Sequence, residues 1–332
     1  MPLRHITLRQ LKVFEAVARH LSFSRAAEEL HLTQPAVSMQ VKGLETQAEL
    51  PLFEQVGKKI HLTEAGAEVA RFALELLSGL KDCEDTLAAI RGVSGGRLHL
   101  AVVSTAKYFA PRLLAEFSRR HPGVTVKLSV VNREEVIAAL QANQVDLAIM
   151  GRPPRGLDVE ATAFARHPHG IIAAPSHPLA AKRRLDLSRL AGENFLIREP
   201  GSGTRMSMER VFADRGMKPA SSMELASNET IKQAVMAGMG LAFLSLHTVG
   251  LELAAGKLAR LDVVGTPVTR DWHVVSRKGK RLSPLAESFR SFLAEEGAKL
   301  IEETTGVAAG AEHEAKPRKT LKKAANGVQN RL

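Results

Sequence analysis

The residues best suited to bind an anion lie at positions 199–205 (EPGSGTR), between a predicted strand and a predicted helix. Glycine lets the backbone turn so that several N–H groups face one anion, and the start of a helix favours negative charge. The threonine adds a hydroxyl and the arginine a planar, charged donor. The segment therefore predicts a phosphate or carboxylate site, although an ordinary helix start has the same pattern. Its candidate residues are Gly201, Ser202, Gly203, Thr204 and Arg205.

Further polar residues follow other predicted strands. Ser104 and Thr105 end the strand predicted at residues 98–103 and precede a helix, so their hydroxyls and free backbone N–H groups would face the same cleft. Asn132, Arg152 and Asn228 lie at similar strand ends. Each of these three is equally well explained as a helix cap or a solvated residue.

A second polar group lies on a helix near the amino terminus. Thr33 would cap this helix, whose core-facing residues recur at i, i+4 and i+7: Val37, Val41 and Leu44. Its outer face carries Gln34, Pro35, Ser38 and Lys42. The amide can pair with adenine, the hydroxyl can donate or accept, and the ammonium can reach guanine or phosphate. The pattern predicts a recognition helix for the DNA major groove, although a small three-helix bundle with a polar face has the same spacing.

Two shorter signals precede this helix. Residues 7–10 fit a capping box, and an apolar stripe through residue 21 then predicts the first helix. Ser24 is expected to cap a short second helix, which ends in a tight turn at residues 31–32. Three capped helices therefore fall within the first part of the chain.

A long helix is predicted from Thr63, its expected cap, to residue 91. It carries a heptad pattern of apolar residues: Val69, Ala73, Leu76, Leu80, Cys83, Leu87 and Ile90. Such a stripe can pair with a second copy of the chain or pack on its own domain. Cys83, the only cysteine, is interpreted as a small apolar residue of this seam and not as a redox sensor.

The pattern changes after the glycine-rich hinge at residues 92–96. Short apolar runs at 98–103, 124–130, 147–150 and 241–244 alternate with helical stretches, which predicts an α/β region with a largely parallel sheet. The region ends near residue 303. Residues 304–332 are rich in alanine, lysine and arginine, and they are predicted to form a disordered basic tail, either a solvated extension or an accessory DNA contact.

Composition limits the class of protein. The chain has 332 residues and a formal net charge of +11, which favours polyanionic partners without choosing among nucleic acid, membrane surface and phosphorylated metabolites. A single cysteine excludes a disulfide framework, as expected in a reducing compartment. Charged residues near the start and the lack of 18 consecutive apolar residues predict neither export nor membrane insertion. We expect a cytoplasmic protein of two or more domains.

The motifs resemble those of LysR-type transcriptional regulators. The matching segments are 22–30 (SFSRAAEEL), 32–38 (LTQPAVS), 44–45 (LE), 52–53 (LF) and 62–66 (LTEAG). The resemblance implies a winged helix-turn-helix over 1–62 with the motif at about 23–42, a linker and dimerisation helix over 63–91, and an effector domain over 92–303. That domain would have a type II periplasmic-binding-protein-like fold, with lobe I at 97–165 and 268–303 and lobe II at 166–267. The lobes would be connected near residues 164–168 and 266–269.

The same resemblance implies the DNA contacts and two departures from the family pattern. The wing would turn at residues 57–59. The implied DNA-binding residues are Ser24, Arg25, Thr33, Gln34, Pro35, Ser38, Lys42, Lys58 and Lys59. Glu49 stands where the family usually has glycine, and Gln55 stands where an arginine is common. The first change leaves the geometry of the turn before the wing undecided, and the second removes one expected phosphate contact.

Four longer segments resemble the CbbR-like branch, which regulates carbon-dioxide-fixation (Calvin cycle, RuBisCO) operons: 50–59 (LPLFEQVGKK), 132–136 (NREEV), 145–154 (VDLAIMGRPP) and 198–205 (REPGSGTR). This resemblance implies an activator that binds promoter DNA as a homodimer or homotetramer, contacts RNA polymerase, and needs no cofactor or metal. Its effector would be a phosphorylated metabolite such as a sugar bisphosphate, phosphoenolpyruvate, ATP or NADPH. A LysR-type regulator of another operon that senses a small carboxylate is the alternative.

Other classes of protein fit less well. An exported solute-binding protein would share the second half but would need a signal peptide and no helix-turn-helix. For an enzyme, residues 201–203 do not form the Gly-x-Ser-x-Gly motif. His167 and His169 lack a partnered carboxylate or cysteine motif, so we assign them ordinary surface roles.

Overall fold

The computed structural model describes residues 5–57, 59–90 and 96–307. Within these ranges the helices are α1 (Leu8–His20), α2 (Phe23–Leu30), α3 (Gln34–Ala48), α4 (Glu64–Ile90), α5 (Ala110–Arg120), α6 (Arg133–Gln141), α7 (Gly203–Ala213), α8 (Asn228–Met236), α9 (Gly250–Ala254) and α10 (Pro284–Thr305). The strands are β1 (Phe53–Val56), β2 (Lys59–Leu62), β3 (Arg97–Val103), β4 (Thr125–Val131), β5 (Leu147–Met150), β6 (Val159–Ala173), β7 (Asn194–Arg198), β8 (Ala220–Leu225), β9 (Ala242–Ser245), β10 (Ala259–Arg260) and β11 (Val268–Arg277). The predicted Lys58 contact, residues 92–95 of the predicted hinge and the tail from residue 308 lie outside the described residues.

The first three helices begin at side-chain caps. Thr7 forms the predicted capping box with Gln10, and the Thr33 hydroxyl accepts a hydrogen bond from the backbone N–H of Ala36. The predicted cap of α2, Ser24, is wrong. Ser22, and not Ser24, accepts from the N–H of Arg25, because the helix begins two residues earlier with its backbone extended at Ser22.

A small apolar core joins these helices to the wing. Val13, Val17, Val37 and Val41 are buried together, and the ring of Phe53 on β1 lies 5.2 Å from that of Phe14. Strands β1 and β2 pair antiparallel and form the wing that the family resemblance implied. The core fixes the outer face of α3 relative to the wing.

Helix α4 starts on this core and then leaves it. Thr63 caps it by accepting from the N–H of Gly66 at 3.0 Å. Val69 packs against the cluster of Phe14, Leu44 and Leu52, and Ala73 is buried, so these two seam residues contact their own domain. Farther along, an apolar face is exposed, made by Phe72, Leu76, Leu80, Cys83 and Leu87. The side chain of Ile90 lies outside the described residues.

The α/β region contains a seven-stranded sheet in the order β10-β6-β11-β5-β3-β4, with β9 also paired to β6. Strand β3 is parallel to β4 and β5, whereas β11 is antiparallel to β5 and β6. The expectation of a largely parallel sheet is therefore only partly right. Strands β6 and β11 pass between the two lobes as an antiparallel pair, and β6 carries polar and small residues that do not resemble a buried strand in sequence.

Each lobe has its own core. In lobe I, formed by β3–β5 with α5, α6 and α10, Trp272, Phe117 and Phe289 are fully buried. In lobe II, formed by β7–β10 with α7–α9, Phe195 and Phe212 pack edge to face, and their ring centroids lie 5.2 Å apart. The two packed lobes, which β6 and β11 connect, leave a cleft between them.

The described structure extends past the predicted start of the tail at residue 304. Helix α10 continues to Thr305, Gly306 adopts the left-handed conformation that ends it, and Val307 packs against the core of lobe II. Gly250 allows this contact, since a Cβ there would lie 1.9 Å from the carbonyl oxygen of Thr305.

None of the described helices is both long and apolar enough to cross a membrane.

Candidate ligand cleft and nucleic-acid interface

The outer face of α3 is exposed as predicted from its spacing. Gln34, Pro35 and Lys42 are exposed and Ser38 is partly exposed, while the opposite face is buried. The Gln34 amide donates to the Ser38 hydroxyl at 2.9 Å, so the two groups lie next to each other on the surface. Met39, which the sequence analysis did not select, is 67% exposed beside them. This face can present an amide, a hydroxyl and an ammonium to base edges.

Around α3, the other implied DNA contacts are also at the surface. Thr33 is exposed at the start of α3, Ser24 and Arg25 are exposed on α2, and Lys59 is exposed at the start of β2. Neither departure from the family pattern disrupts the wing. Glu49 ends α3 in the left-handed conformation (φ 55°), and the Gln55 amide donates to the carbonyl of Gly57 at 3.0 Å.

The second site is a cavity of ≈ 190 Å³ between the two lobes. Ser104, Thr105, Asn132 and Arg152 line it from lobe I, and Ser202, Gly203 and Thr204 line it from lobe II. The strand ends and helix starts selected in the sequence thus face one another across one cavity. Asn132 also caps α6, so this residue has both roles considered in the sequence analysis, helix cap and cavity wall.

Helix α7 begins at the cavity. Ser202 is its N-cap and accepts from the N–H of Arg205, and the described residues provide no acceptor for the N–H groups of Gly203 and Thr204. Gly203 is exposed, and the Cδ of Arg133 would lie 3.5 Å from a Cβ placed on it. Unpaired N–H groups at the start of a helix bind anions.

Arg198, at the end of β7, organises the wall beside this helix start. It is buried, donates to both carboxylate oxygens of Glu199, and donates to Ser104 of lobe I at 3.1 Å. It also donates to Asn228. Asn228 therefore holds Arg198 in place and does not line the cavity itself, in contrast to the prediction.

Two more predicted ligand residues lie outside the cavity. Arg205 points away and pairs with Glu209 at 2.9 Å and Glu224 at 2.6 Å, because its position on α7 faces the opposite side from Gly203. Gly201 makes the turn, with φ 81°, and a Cβ there would lie 2.7 Å from a carboxylate oxygen of Glu134. Its role is to allow close approach of the two lobes.

A cluster of arginines lines the other part of the cavity. Arg152, Arg210 and Arg270 come from lobe I, α7 and β11. Burial lowers the pKa of Arg270, and the charges of Arg152 and Arg210 lower it further. Among the described residues, Arg152 and Arg270 have no carboxylate partner, and the nearest carboxylate oxygen to Arg210 lies 3.9 Å away on Asp214. Like charges held together without counter-ions favour an anion between them.

The surface roles assigned to His167 and His169 are wrong. Both are buried on β6, where they line the cavity. The ring of His167 stacks on that of Trp272 at 3.7 Å between centroids, and its Nε2 lies 3.0 Å from the Ser245 hydroxyl. Burial holds the pKa of His167 well below its usual range and lowers that of His169 to about 3. These imidazoles are neutral hydrogen-bonding groups near neutral pH.

Comparison with known families assigns both sites to one architecture. Residues 8–67 match the family described as bacterial regulatory helix-turn-helix protein, lysR family, and residues 91–298 match the LysR substrate binding domain. The chain belongs to the LysR family of transcriptional regulators. The RuBisCO operon transcriptional regulator of Allochromatium vinosum is 52% identical over 296 residues, which are 89% of this chain and 98% of that protein. The regulator CfxR of Cupriavidus necator is 52% identical over 299 residues, 90% of this chain and 94% of that protein.

Solved structures of LysR regulators show the same fold. The regulatory domain of Synechocystis CcmR in complex with 2-PG is 42% identical, with a TM-score of 0.58, and the match covers 60% of this chain and 96% of that one. Full-length CbnR complexed with its target DNA is 25% identical, with a TM-score of 0.60, and the match covers 87% of this chain and 99% of that one. The two-lobed α/β region and the winged helix-turn-helix are therefore those of a LysR regulator.

The sequence analysis missed more than half of the residues that line the cavity of this LysR regulator. The residues it did not select are Val103, Arg133, Gly151, Arg198, Met206, Ser207, Arg210 and Arg270, besides the two histidines. The sequence could have predicted two of these residues. Residues 207 and 210 lie on the same face of α7 as residue 203, so a ligand at the start of this helix also contacts them. The arginine of β11 gave no such signal, because it is far from α7 in sequence. Among the described residues, no group of three His, Cys, Asp or Glu side chains could hold a metal ion.

Proposed function

We propose that this LysR regulator controls a carbon-fixation (RuBisCO) operon, which it activates when a phosphorylated metabolite binds between the lobes of its effector domain. The observation that carries the proposal is the 52% identity over 89% of the chain to a regulator named for the RuBisCO operon. The two family matches, at residues 8–67 and 91–298, include helix α3 and the residues that line the cleft.

The cleft supports a phosphorylated effector. The N–H groups of Gly203 and Thr204 line one small cavity together with Arg152, Arg210 and Arg270. Among the described residues these two N–H groups have no acceptor, and Arg152 and Arg270 have no carboxylate partner. Phosphate oxygens accept hydrogen bonds from backbone N–H groups and from arginine, and a dianion compensates more than one positive charge. The candidates are a sugar bisphosphate, phosphoenolpyruvate, ATP and NADPH.

The DNA contacts follow from the exposed face of α3. In this proposal Gln34, Ser38 and Lys42 read base edges in the major groove, and Lys59 on the wing contacts phosphate. The structure of CbnR with its target DNA is a precedent for a LysR regulator on DNA.

Dimerisation follows from the exposed apolar face of α4. Leu76, Leu80 and Leu87 are 42%, 36% and 49% exposed on one helix, and pairing with a second copy would bury them. A two-fold dimer places two reading helices on two half-sites of a promoter, and two dimers form a tetramer. Effector-driven closure of the lobes then changes the bend of the DNA and the contact with RNA polymerase. The regulator acts in the cytoplasm, without a cofactor and without catalytic activity.

The test is a gel-shift and footprint experiment on the promoter region upstream of the RuBisCO genes in the genome that encodes this chain. A fragment of equal length from an unrelated promoter is the control. We expect specific binding whose footprint shortens or shifts with one of the four phosphorylated candidates. Binding to both fragments with equal affinity would refute the operon assignment. A footprint that responds only to non-phosphorylated carboxylates would agree with a LysR regulator but would refute control of a carbon-fixation operon by a phosphorylated metabolite.

A further inference from the structure

Two elements, helix α6 and strand β11, each have one end at the cavity between the lobes and the other end at helix α4. Asn132 and Arg133 at the start of α6 line the cavity, and so does Arg270 near the start of β11. From there α6 extends about 13 Å and β11 about 23 Å. Both elements therefore connect the cleft with the helix that follows the DNA-binding domain.

At the far end, Arg277 joins both elements to α4. It is the last residue of β11, and its guanidinium donates to a carboxylate oxygen of Glu75 on α4 at 3.1 Å and to the carbonyl of Gln141 at 3.5 Å. Gln141 is the last residue of α6. Two residues farther, the Asn143 amide donates to the hydroxyl of Ser78, which lies one turn along α4 from Glu75. These five residues form the α4 joint.

Helix α6 and strand β11 share one core, so they move together. Val136 and Leu140 of α6 are buried in one cluster with Val275 of β11. At the cavity end, Arg133 donates to the carbonyl of Arg152, which also lines the cavity. Because closely packed interiors transmit a displacement, a ligand that shifts Arg152 also shifts the α4 joint at the other end.

The contacts of the α4 joint can open easily. Glu75 is 38% exposed and Arg277 is 31% exposed, and exposed ion pairs are weak. Glu75 has a second partner on its own helix, Arg71 at 3.4 Å, so its charge stays paired when Arg277 leaves. A cavity of ≈ 960 Å³ lies beside the joint, lined by Ser78 and, from the DNA-binding domain, by Arg19. The joint thus bridges a gap and leaves space for the two sides to move.

We propose that the α4 joint is a switch, closed in one arrangement of lobe I and the DNA-binding domain and open in another, and that ligand binding between the lobes changes the populations of the two. This inference rests on the proposed function, to which it adds the contact through which the cleft acts on DNA binding. Because the coupling of two sites is reciprocal, the state of the joint also sets the affinity of the cleft for its ligand.

Two variants of the full chain fix the two states. Arg277→Glu brings two carboxylates together and opens the joint. Ser78→Cys with Asn143→Cys, in a Cys83→Ser background, closes the joint with a disulfide on oxidation, because the native side chains at these positions are already in hydrogen-bond contact. Lys278→Glu is the matched control, since it makes the same change of charge at the next residue, which is exposed and lies outside the joint. The reduced form of the cysteine variant is a second control.

The measurements are footprints on the RuBisCO promoter fragment and titration calorimetry with phosphoenolpyruvate, ATP and NADPH. We expect the open and crosslinked variants to give two footprints that differ by about 10 base pairs, because the next major groove on the same face of DNA lies one helical turn away. A probe that shifts the wild-type footprint should shift neither of them. Its affinities for the two variants should differ by at least about fivefold, with the wild type between them. Lys278→Glu should match the wild type, and adding Glu75→Arg to Arg277→Glu should restore the response.

Each contrary result has a distinct meaning. Identical footprints and equal ligand affinities of the two variants would overturn the switch and leave the proposed function in place. Failure of the Ser78→Cys, Asn143→Cys variant to crosslink on oxidation would also overturn it, because α4 would then not contact lobe I at this point. If none of the three probes binds the wild type, the phosphorylated effector of the proposed function loses support, and the two footprints alone decide whether the joint controls DNA binding.

Discussion

Lowering the pH should destabilise the effector domain through three buried histidines. Burial holds the pKa of His167 well below its usual range and lowers the pKa values of His169 and His247 to about 3 and about 4. In the unfolded chain the same groups titrate near 6.5. Below that pH the unfolded state binds protons that the folded state does not bind, so the free energy of unfolding falls as the pH falls.

The size of this effect follows, for His169 and His247, from the pKa values in the folded and unfolded states. Between pH 7.5 and pH 5.5, each of these two histidines lowers the free energy of unfolding by about 1 kcal/mol, and His167 lowers it further in the same direction. This loss is a large part of the 5 to 15 kcal/mol that stabilises a typical domain. It is present well above the pH range in which carboxylates titrate.

Urea unfolding of the full chain at pH 7.5, 6.5 and 5.5, followed by circular dichroism, measures the effect. His169→Phe replaces the imidazole, which titrates, by an aromatic ring that does not. The new ring fits this position because the ring of Phe243 already stacks parallel to that of His169. We expect this variant to lose about 1 kcal/mol of the change between pH 7.5 and pH 5.5, which is the contribution of His169. A wild-type effector domain that is equally stable at pH 7.5 and 5.5 would show that these histidines are protonated in the folded state, contrary to their burial.

Three further substitutions test other parts of the molecule. Glu49→Gly should stabilise the DNA-binding domain by about 1 kcal/mol, because it relieves a left-handed backbone, and should slow hydrogen exchange in α3 about fivefold, whereas Glu49→Ala should not. Gln34→Ala should weaken specific DNA binding by about 1 to 3 kcal/mol, whereas Lys59→Ala should weaken all sequences alike and flatten the salt dependence; equal losses on random DNA would remove Gln34 from the reading face. Leu80→Glu should convert dimers to monomers in sedimentation, and an unchanged mass would place the dimer interface elsewhere.

The sequence predicted the starts of helices well where a side chain caps backbone N–H groups a few residues away. Thr7, Thr33 and Thr63 cap helices as expected, because the cap and the N–H that it accepts from are at most three residues apart. The choice of Ser24 over Ser22 failed because both residue types cap well. Only the extended backbone at Ser22 and the packing of Phe23 against Phe53 decide where α2 begins.

The candidate site was predicted where it depends on strand ends and missed where it depends on the meeting of distant elements. Ser104, Asn132 and Thr204 follow strands or open helices, and the cleft contains all three. Arg270 and His167 lie within strands that read as ordinary surface, and they reach the cavity because β6 and β11 pass between the lobes. The sequence pattern of one of these strands does not predict which residues of the other strand lie beside it.

Trp272 gives the cleft an intrinsic optical label. It is the only tryptophan in the chain, it is fully buried, and its ring lies against His167, which lines the cavity. All tryptophan fluorescence of the protein therefore originates from one position at the junction of the two lobes. A ligand that contacts His167 changes the electrostatic surroundings of the indole, so the emission spectrum should report occupancy directly, without a dye or an engineered residue. DNA binding at α3 takes place in a domain without tryptophan, so the same signal distinguishes an event in the cleft from an event at the promoter.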